Sequence, residues 1–256
     1  MTPEIVVLYS GSKGNSVFYR CGEDKLLIDA GKNSKQLCCS LERLGVKEVG
    51  DIFITHEHTD HISALPVYLK KHLSIVHMTS ASLDCANLPR GCVCEHPIRF
   101  TSKVGAVSVS SFATPHDSRA SVGYVIEGGN SKVGIATDIG YITDEIAAAL
   151  AGCDSVVLEA NHDVGMLING PYPFHLKQRI LSQRGHLSND DCAKFAVWLA
   201  ERGTRRFILA HLSEINNLPK CAFDAVRGAL DEAGFCDCEV LVASQYEPVG
   251  YFEENS

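Results

Sequence analysis

No apolar run approaches the ~20 residues that a membrane-spanning helix needs, and the opening stretch MTPEIVVLYS has neither a basic start nor a long apolar core. These absences speak against a membrane segment and a secretory leader, so the expected location is the cytoplasm. No Pro/Ser-rich linker, repeat or low-complexity tract interrupts the chain, and the expected organisation is one domain over 1–256. No CxxC pair occurs: Cys38-Cys39, Cys92-x-Cys94 and Cys236-x-Cys238 all lack the spacing of a structural zinc knuckle. Positive charge is also scarce, with 23 Lys and Arg against 31 Asp and Glu giving a net charge of −8. A protein that coats nucleic acid by charge alone is basic, so any phosphate binding here must be local. Bound divalent cations would alter the field where it matters.

What is present is an ordinary globular composition, 45% hydrophobic and 21% charged over 256 residues, with enough apolar mass for a large core. The eleven cysteines read as reduced thiols, most simply as small buried apolar residues. Apolar runs predict strands near 4–9, 17–20, 25–29, 51–55, 74–78, 104–112, 121–127, 132–137, 155–159, 206–210 and 239–243. Helices are predicted near 33–44, 61–71, 143–151, 174–184, 188–202 and 220–233. Ser188 reads as an N-cap, Gly203 as a stop and Pro219 as a first-turn residue. This mixture predicts an α/β domain.

Five predicted strands lead directly into a candidate ligand or acid/base: His56 after DIFIT, His116 after VSVSSFATP, Asp138 after KVGIAT, Glu159 after SVVL and His211 after RRFILA. Open α/β sheets gather their chemistry at the carboxyl ends of strands, so these positions are expected on one rim. The segment THEHTDHI supplies more donors. His56 and His58 are two apart and point the same way in extended chain, while Glu57 points the other way. Thr59 or Asp60 is expected to cap the following helix. One metal could take His56, His58 and His116; a second could take Asp60, His61 and His211; Asp138 could bridge them. Hydrolytic two-metal sites have this arrangement. Histidines 72, 77, 96 and 175 lack such context and read as structural or surface residues.

The HEHTDH segment, followed by His116, Asp138 and His211, resembles the metallo-β-lactamase-fold hydrolases. That resemblance covers essentially the whole chain and implies a four-layer αββα sandwich with a dinuclear site along one sheet edge. SGSKGNS, TPHDS, TDIG, LEANHD, LKQRILSQRGHLSN and AHLSEINN further resemble the bacterial YycJ/WalJ group, which implies phosphodiester hydrolysis and in particular 5′-to-3′ exonuclease action on DNA. The cofactors implied are two divalent ions, with zinc, manganese or iron all suited to histidine and carboxylate. The resemblance also picks out Glu159 and His186 as a pair acting on the leaving oxygen. A departing alkoxide needs a proton even where metals polarise the phosphate. Asp60, besides its place among the ligands, is grouped with them as catalytic. The competing reading of His186 is a cap for the helix near Ser188.

Lys177, Arg179 and Arg184 precede His186 and are candidates for a phosphate clamp; Asn216 and Asn217, just past His211, are candidates for substrate contact. SGSKGNS reads first as a hairpin turn and second as a source of phosphate-binding donors. The alternatives are a cyclic phosphodiesterase, a tRNA 3′-endonuclease, a thiolester hydrolase or β-lactamase, and a non-catalytic protein on the same scaffold. No insertion resembles the basic arm of the tRNA enzymes, and the interval from Asp138 to His211 has no room for a β-CASP cap. A non-catalytic protein is expected to lose ligands, and here all seven are present.

Overall fold

The computed structural model describes residues 2–86 and 88–252; the remaining positions of the expected 1–256 unit lie outside the described residues. Among the described residues the strands form two seven-stranded sheets. The first holds β1 (Glu4–Tyr9), β2 (Ser16–Cys21), β3 (Asp24–Ile28), β4 (Asp51–Phe53), β5 (Ile75–Thr79) and β6 (Val93–His96). The second holds β7 (Thr101–Val104), β8 (Val107–Ala113), β9 (Val122–Gly128), β10 (Ser131–Ala136), β11 (Ser155–Glu159), β12 (Arg206–Ala210) and β13 (Glu239–Val242). The last strand, β14 (Val249–Tyr251), returns to the first sheet beside β1. Each sheet is antiparallel in its first part and parallel in its second: β1 to β3 and β7 to β10 alternate, whereas β3 to β6 and β10 to β13 run the same way.

The apolar runs explain the layering. A strand sends alternate side chains to opposite faces, and a strand covered on both faces reads as continuously apolar. In β1, Ile5 and Val7 enter the core between the sheets while Val6 and Leu8 enter an outer core. In β12, Ile208 faces the partner sheet while Phe207 and Leu209 face outward. The outer cores are closed by helices. Leu37 and Leu41 of α1 (Ser34–Arg43) cover the first sheet, with the short turns α2 (Thr59–Ile62), α3 (Leu65–Tyr68) and α4 (Ser80–Ala86) beside them. Then α5 (Asp144–Leu150), α6 (Val164–Asn169), α7 (Phe174–Ile180), α8 (Asn189–Ala200) and α9 (Pro219–Glu232) follow. Of these, α5, α8 and α9 cover the second sheet, α9 through Ala222, Val226 and Leu230 at helical spacing. The result is the expected four-layer αββα sandwich.

Several expected boundaries shift. The predicted strand 104–112 is a hairpin, β7 and β8, turning at Gly105 (φ 57°) and Ala106, whose N–H donates to Asp24. The predicted helix 61–71 is two single turns, α2 and α3. Neither Thr59 nor Asp60 caps it: His58 occupies the N-cap position without a side-chain bond, which leaves Asp60 free for other partners. The predicted helix 174–184 ends at Ile180. Ser188 does cap α8, accepting from Asp191 N–H at 3.1 Å, and Pro219 does open α9. The thiols are not uniformly buried: Cys153, Cys192 and Cys238 are, while Cys39, Cys85 and Cys236 are exposed and the rest lie between.

Gly31, just past the end of β3, packs directly against the backbone of α2. A Cβ there would overlap the carbonyl of Asp60, and the same crossing carries bonds from Asn15 N–H to Asp60 O (2.8 Å) and from Gly31 N–H to Asn15 O (2.9 Å). Gly228, inside α9, has open space around it. Gly31→Ala is therefore expected to lower stability by about 1–3 kcal/mol through overpacking, and Gly228→Ala to raise it by about 0.5–1 kcal/mol through helix propensity. Thermal and denaturant unfolding of the two variants check the contrast; equal effects would contradict the packing account.

Candidate functional site

The carboxyl ends of β3, β4, β8, β10, β11 and β12 meet at one rim, because β8 and β10 share a direction and the central strands of both sheets run parallel. These ends carry Asp29, His56, His116, Asp138, Glu159 and His211. Three of them adopt left-handed backbone, Asp29 (φ 64°), Asp138 (φ 56°) and His211 (φ 56°), a conformation that costs about 1–3 kcal/mol for a residue with a side chain.

The histidine segment is aimed from behind. Asp29 Oδ2 accepts from His61 Nδ1 at 2.7 Å, and Asp29 also accepts from the Thr55 N–H (2.8 Å) and hydroxyl (2.9 Å). The Thr55 hydroxyl lies 3.0 Å from His56 Nδ1. With both Nδ1 positions engaged, the Nε2 atoms of His56 and His61 face the cluster. His56 Nε2 stands 3.0 Å from His58 Nδ1, and both rings lie about one ring's width from His116, with centroids at 5.0 and 5.2 Å. Glu57 points away, accepting from Arg119 N–H and the Ser82 hydroxyl.

Asp60, His61 and His211 form a second group: Asp60 Oδ2 is 3.5 Å from His61 Nε2 and 3.8 Å from His211 Nε2. Asp138 lies between the groups, with Oδ2 3.3 Å from His61 Nε2 and Oδ1 3.7 Å from His116 Nε2. The seven expected ligands are thus brought together. Glu159 is fully buried. Its Oε1 accepts from His186 Nδ1 and His211 Nδ1, both at 2.8 Å, and its Oε2 accepts from Ile139 N–H at 2.7 Å. His186 is therefore not the cap of α8; it hangs from Glu159 while Ser188 caps.

Charge is concentrated here. Burial alone would raise Asp138 and Glu159, yet His211 and His61 hold Asp138 well below the usual range, and His186 and His211 hold Glu159 down at about 2. Burial disfavours the charged forms of His61 and His211, but Asp29, Asp138, Asp60 and Glu159 outweigh it and raise both. His56 and His116 are lowered, chiefly by burial, which keeps imidazole nitrogens available as neutral donors. Asp138 Oδ2 and His211 Nε2 are buried and make no hydrogen bond. Unpaired buried oxygen and nitrogen atoms among clustered imidazoles and carboxylates are what a divalent cation satisfies. The residues fit such ions.

A profile of the Beta-lactamase superfamily domain matches residues 24–212. The chain belongs to this superfamily. It is 34% identical over 236 residues to the exodeoxyribonuclease YycJ of Bacillus anthracis, covering 90% of this chain and 89% of that one. It is 33% identical to the exodeoxyribonuclease WalJ of Streptococcus pneumoniae serotype 2 (strain D39 / NCTC 7466), covering 89% and 88%. The metallo-β-lactamase fold protein YhfI from Bacillus subtilis superposes with a TM-score of 0.70 at 16% identity, over 97% of this chain and 100% of that one, a likeness of fold. The chain is an enzyme of this superfamily, a hydrolase dependent on divalent metal. Among the described residues no helix is long and apolar enough to cross a membrane.

The remaining candidates divide. A cavity of about 220 Å³ beside the cluster is lined by His116, Arg179, Arg184, His186 and His211. Arg179 pairs with Asp117 at 3.0 Å, and Arg184 donates to the carbonyl of His116 at 3.2 Å. Lys177 instead donates to Ile168 O and does not line this cavity. Asn216 and Asn217 are buried, and the Asn217 amide is taken up by Ala160 O, Asn161 O and Asn189. In this structure the Asn217 side chain ties the segment after His211 to the turn after β11 and to the start of α8. The SGSKGNS turn serves the site through Asn15, whose Nδ2 is 3.1 Å from His61 Nε2 and 3.3 Å from Asp60 Oδ2, and through Ser10, whose hydroxyl accepts from His211 N–H.

Sequence reasoning missed Asp29 although KLLIDAG carries the same strand-end signal. It also missed His162, buried with neither ring nitrogen bonded; its backbone, with that of Asn161, pairs with 187–189 and fixes the approach of His186. Asp29→Asn is expected to preserve the fold but weaken divalent-metal affinity about 10–100-fold, the usual effect of losing the acceptor behind a ligating imidazole. Metal titration of the variant checks this; unchanged affinity would remove Asp29 from that role.

Proposed function

We propose that the protein is a two-metal phosphodiesterase that degrades DNA from its 5′ end. The observation that carries this reading is the Glu159–His186 pair, 2.8 Å apart at the edge of the ligand cluster, with the His186 side chain 22% exposed beside a cavity that also presents two arginines. A thiolate or β-lactam leaving group has less need of such a donor than an alkoxide. The names of YycJ and WalJ, relatives over nine-tenths of the chain, supply the choice of DNA.

In this reading His56, His58 and His116 would hold one ion and Asp60, His61 and His211 the other, with Asp138 placed to serve either. When bound, such ions polarise a phosphoryl oxygen and lower the pKa of water. The chain's own residues do the rest. Glu159 fixes His186 with its proton on Nδ1, so a proton carried on Nε2 is directed to the departing oxygen. Asp29 and Thr55 fix the ligand rings. Arg179 and Arg184 border the cavity through which the strand's phosphates pass, giving few contacts and a shallow salt dependence in keeping with a chain of net charge −8.

Chelation should abolish hydrolysis, and Asp138→Ala should lose metal and activity together. On 5′-labelled duplex the label should appear at once in short products, whereas 3′-labelled duplex should shorten progressively; the opposite pattern would reverse the polarity. Arg179→Glu should impair DNA hydrolysis more than hydrolysis of bis(p-nitrophenyl) phosphate.

His186→Ala should keep its metal content yet lose about 10²–10⁴ in rate on DNA, the scale of a general acid. The loss should shrink for p-nitrophenyl esters, whose leaving group departs unprotonated. Equal losses on both ester types, or loss of metal, would make His186 a ligand or a structural residue.

A further inference from the structure

A second group of metal-type donors lies away from the rim, in the parallel pairing of β5 with β6. His77 pairs with Cys94 and Thr79 with His96, so His77, Cys94 and His96 project from one face of the sheet. One ring nitrogen of each histidine and the Cys94 sulfur lie within 4.8 Å of one another. His77 Nδ1 and His96 Nε2 are 3.0 Å apart. Ligand nitrogens of a tetrahedral zinc, each about 2.0–2.1 Å from the metal, stand about 3.3 Å apart, so this separation is close to that of a ligand pair.

Both rings are held in place. His77 Nε2 donates to Asp51 Oδ1 at 2.9 Å, which leaves Nδ1 with a lone pair facing His96; a carboxylate behind a ligating imidazole is the usual outer partner of such a site. His77 stacks on Phe53 at 4.2 Å and His96 on Phe100 at 3.8 Å, so neither ring is free to turn away. The same arrangement occurs at the rim, where His56 Nε2 faces His58 Nδ1 at 3.0 Å with Thr55 and Asp29 behind.

We propose that His77, His96 and Cys94 form a second metal site, separate from the catalytic cluster, that takes a zinc-class ion through two imidazoles and a thiolate. This donor set is softer than the oxygen- and nitrogen-only rim and selects borderline ions such as zinc or cobalt over magnesium or manganese. Three protein donors leave a fourth position for water, and the ion would tie the edge strand β6 to β5. The competing arrangement is a single N–H···N bond between two neutral rings with Cys94 uninvolved.

Cobalt(II) discriminates, because among the described residues the rim ligands include no thiolate. Protein stripped by chelation, kept reduced with a phosphine and reloaded with Co²⁺ should show a thiolate-to-cobalt charge-transfer band in the near ultraviolet. Cys94→Ser should lose that band and one equivalent of bound cobalt while retaining phosphodiester hydrolysis. His96→Gln should lose the same equivalent with the thiol intact, which keeps the test decisive if Cys94→Ser folds poorly. Equal cobalt content in wild type and both variants, or a band that survives Cys94→Ser, would overturn the site. Neither outcome bears on the catalytic reading, which the hydrolysis assay reports separately.

Discussion

One carboxylate oxygen, Glu159 Oε1, accepts from two imidazoles, His186 and His211, and much of the rim is organised around that shared acceptor. Both rings line the cavity, but His211 is buried within the cluster while the His186 side chain is 22% exposed. Glu159 Oε2 takes the N–H of Ile139, the residue after Asp138. A single side chain at the end of β11 therefore registers the ends of β10 and β12 and the loop before α8. Its charge survives burial because both imidazoles stabilise it. In a dry environment such mutual dependence is strong, since removing any member leaves another group unpaired. The orientations of His186 and His211 thus become one structural requirement.

That requirement is held in place by a stiff scaffold. Left-handed backbone at Asp29, Asp138 and His211 would relax in a mobile loop. Each of these residues lies within two positions of the end of a strand whose side chains enter cores on both faces, β3, β10 and β12. The strain is offset by that burial. A left-handed residue at a strand's end turns the chain abruptly, so the functional side chain occupies the rim and the following backbone leaves it.

The parts of this arrangement legible in the sequence are those that follow from strand burial. Runs such as VVL at 156–158 and FILA at 207–210 are apolar throughout because both faces are covered, and the polar residue after each run, Glu159 or His211, is conspicuous for that reason. The same pattern places His56, His116, Asp138, Glu159 and His211 on one rim. Asp29 carries the same signal, but its importance lies in contacts with Thr55 and His61 that no local pattern reveals. Edge strands β6, β7 and β14 are short and partly polar, too brief for a period of two to stand out. The helix read over 61–71 breaks between α2 and α3, where Pro66 stands in the first turn of α3 and has no N–H to continue the bonding of α2. Lys177, Arg179 and Arg184 show the remaining limit: they are close in sequence, yet one bonds Ile168, one Asp117 and one the His116 carbonyl, because loop geometry sets where a long side chain goes.

The two histidine clusters mark the reach of motif reasoning. HEHTDH is visible because most of its donors are adjacent along the chain, as they are in zinc knuckles, and spacing rules are written for that case. His77, Cys94 and His96 are assembled by strand register: parallel pairing sets Cys94 opposite His77, and a period of two returns His96 to the same face. Neither Cys92-x-Cys94 nor an isolated His77 carries that information. A spacing test therefore rejects local knuckles without testing cross-strand sites, and parallel sheets, whose neighbours are joined by long crossovers, are where that difference matters most.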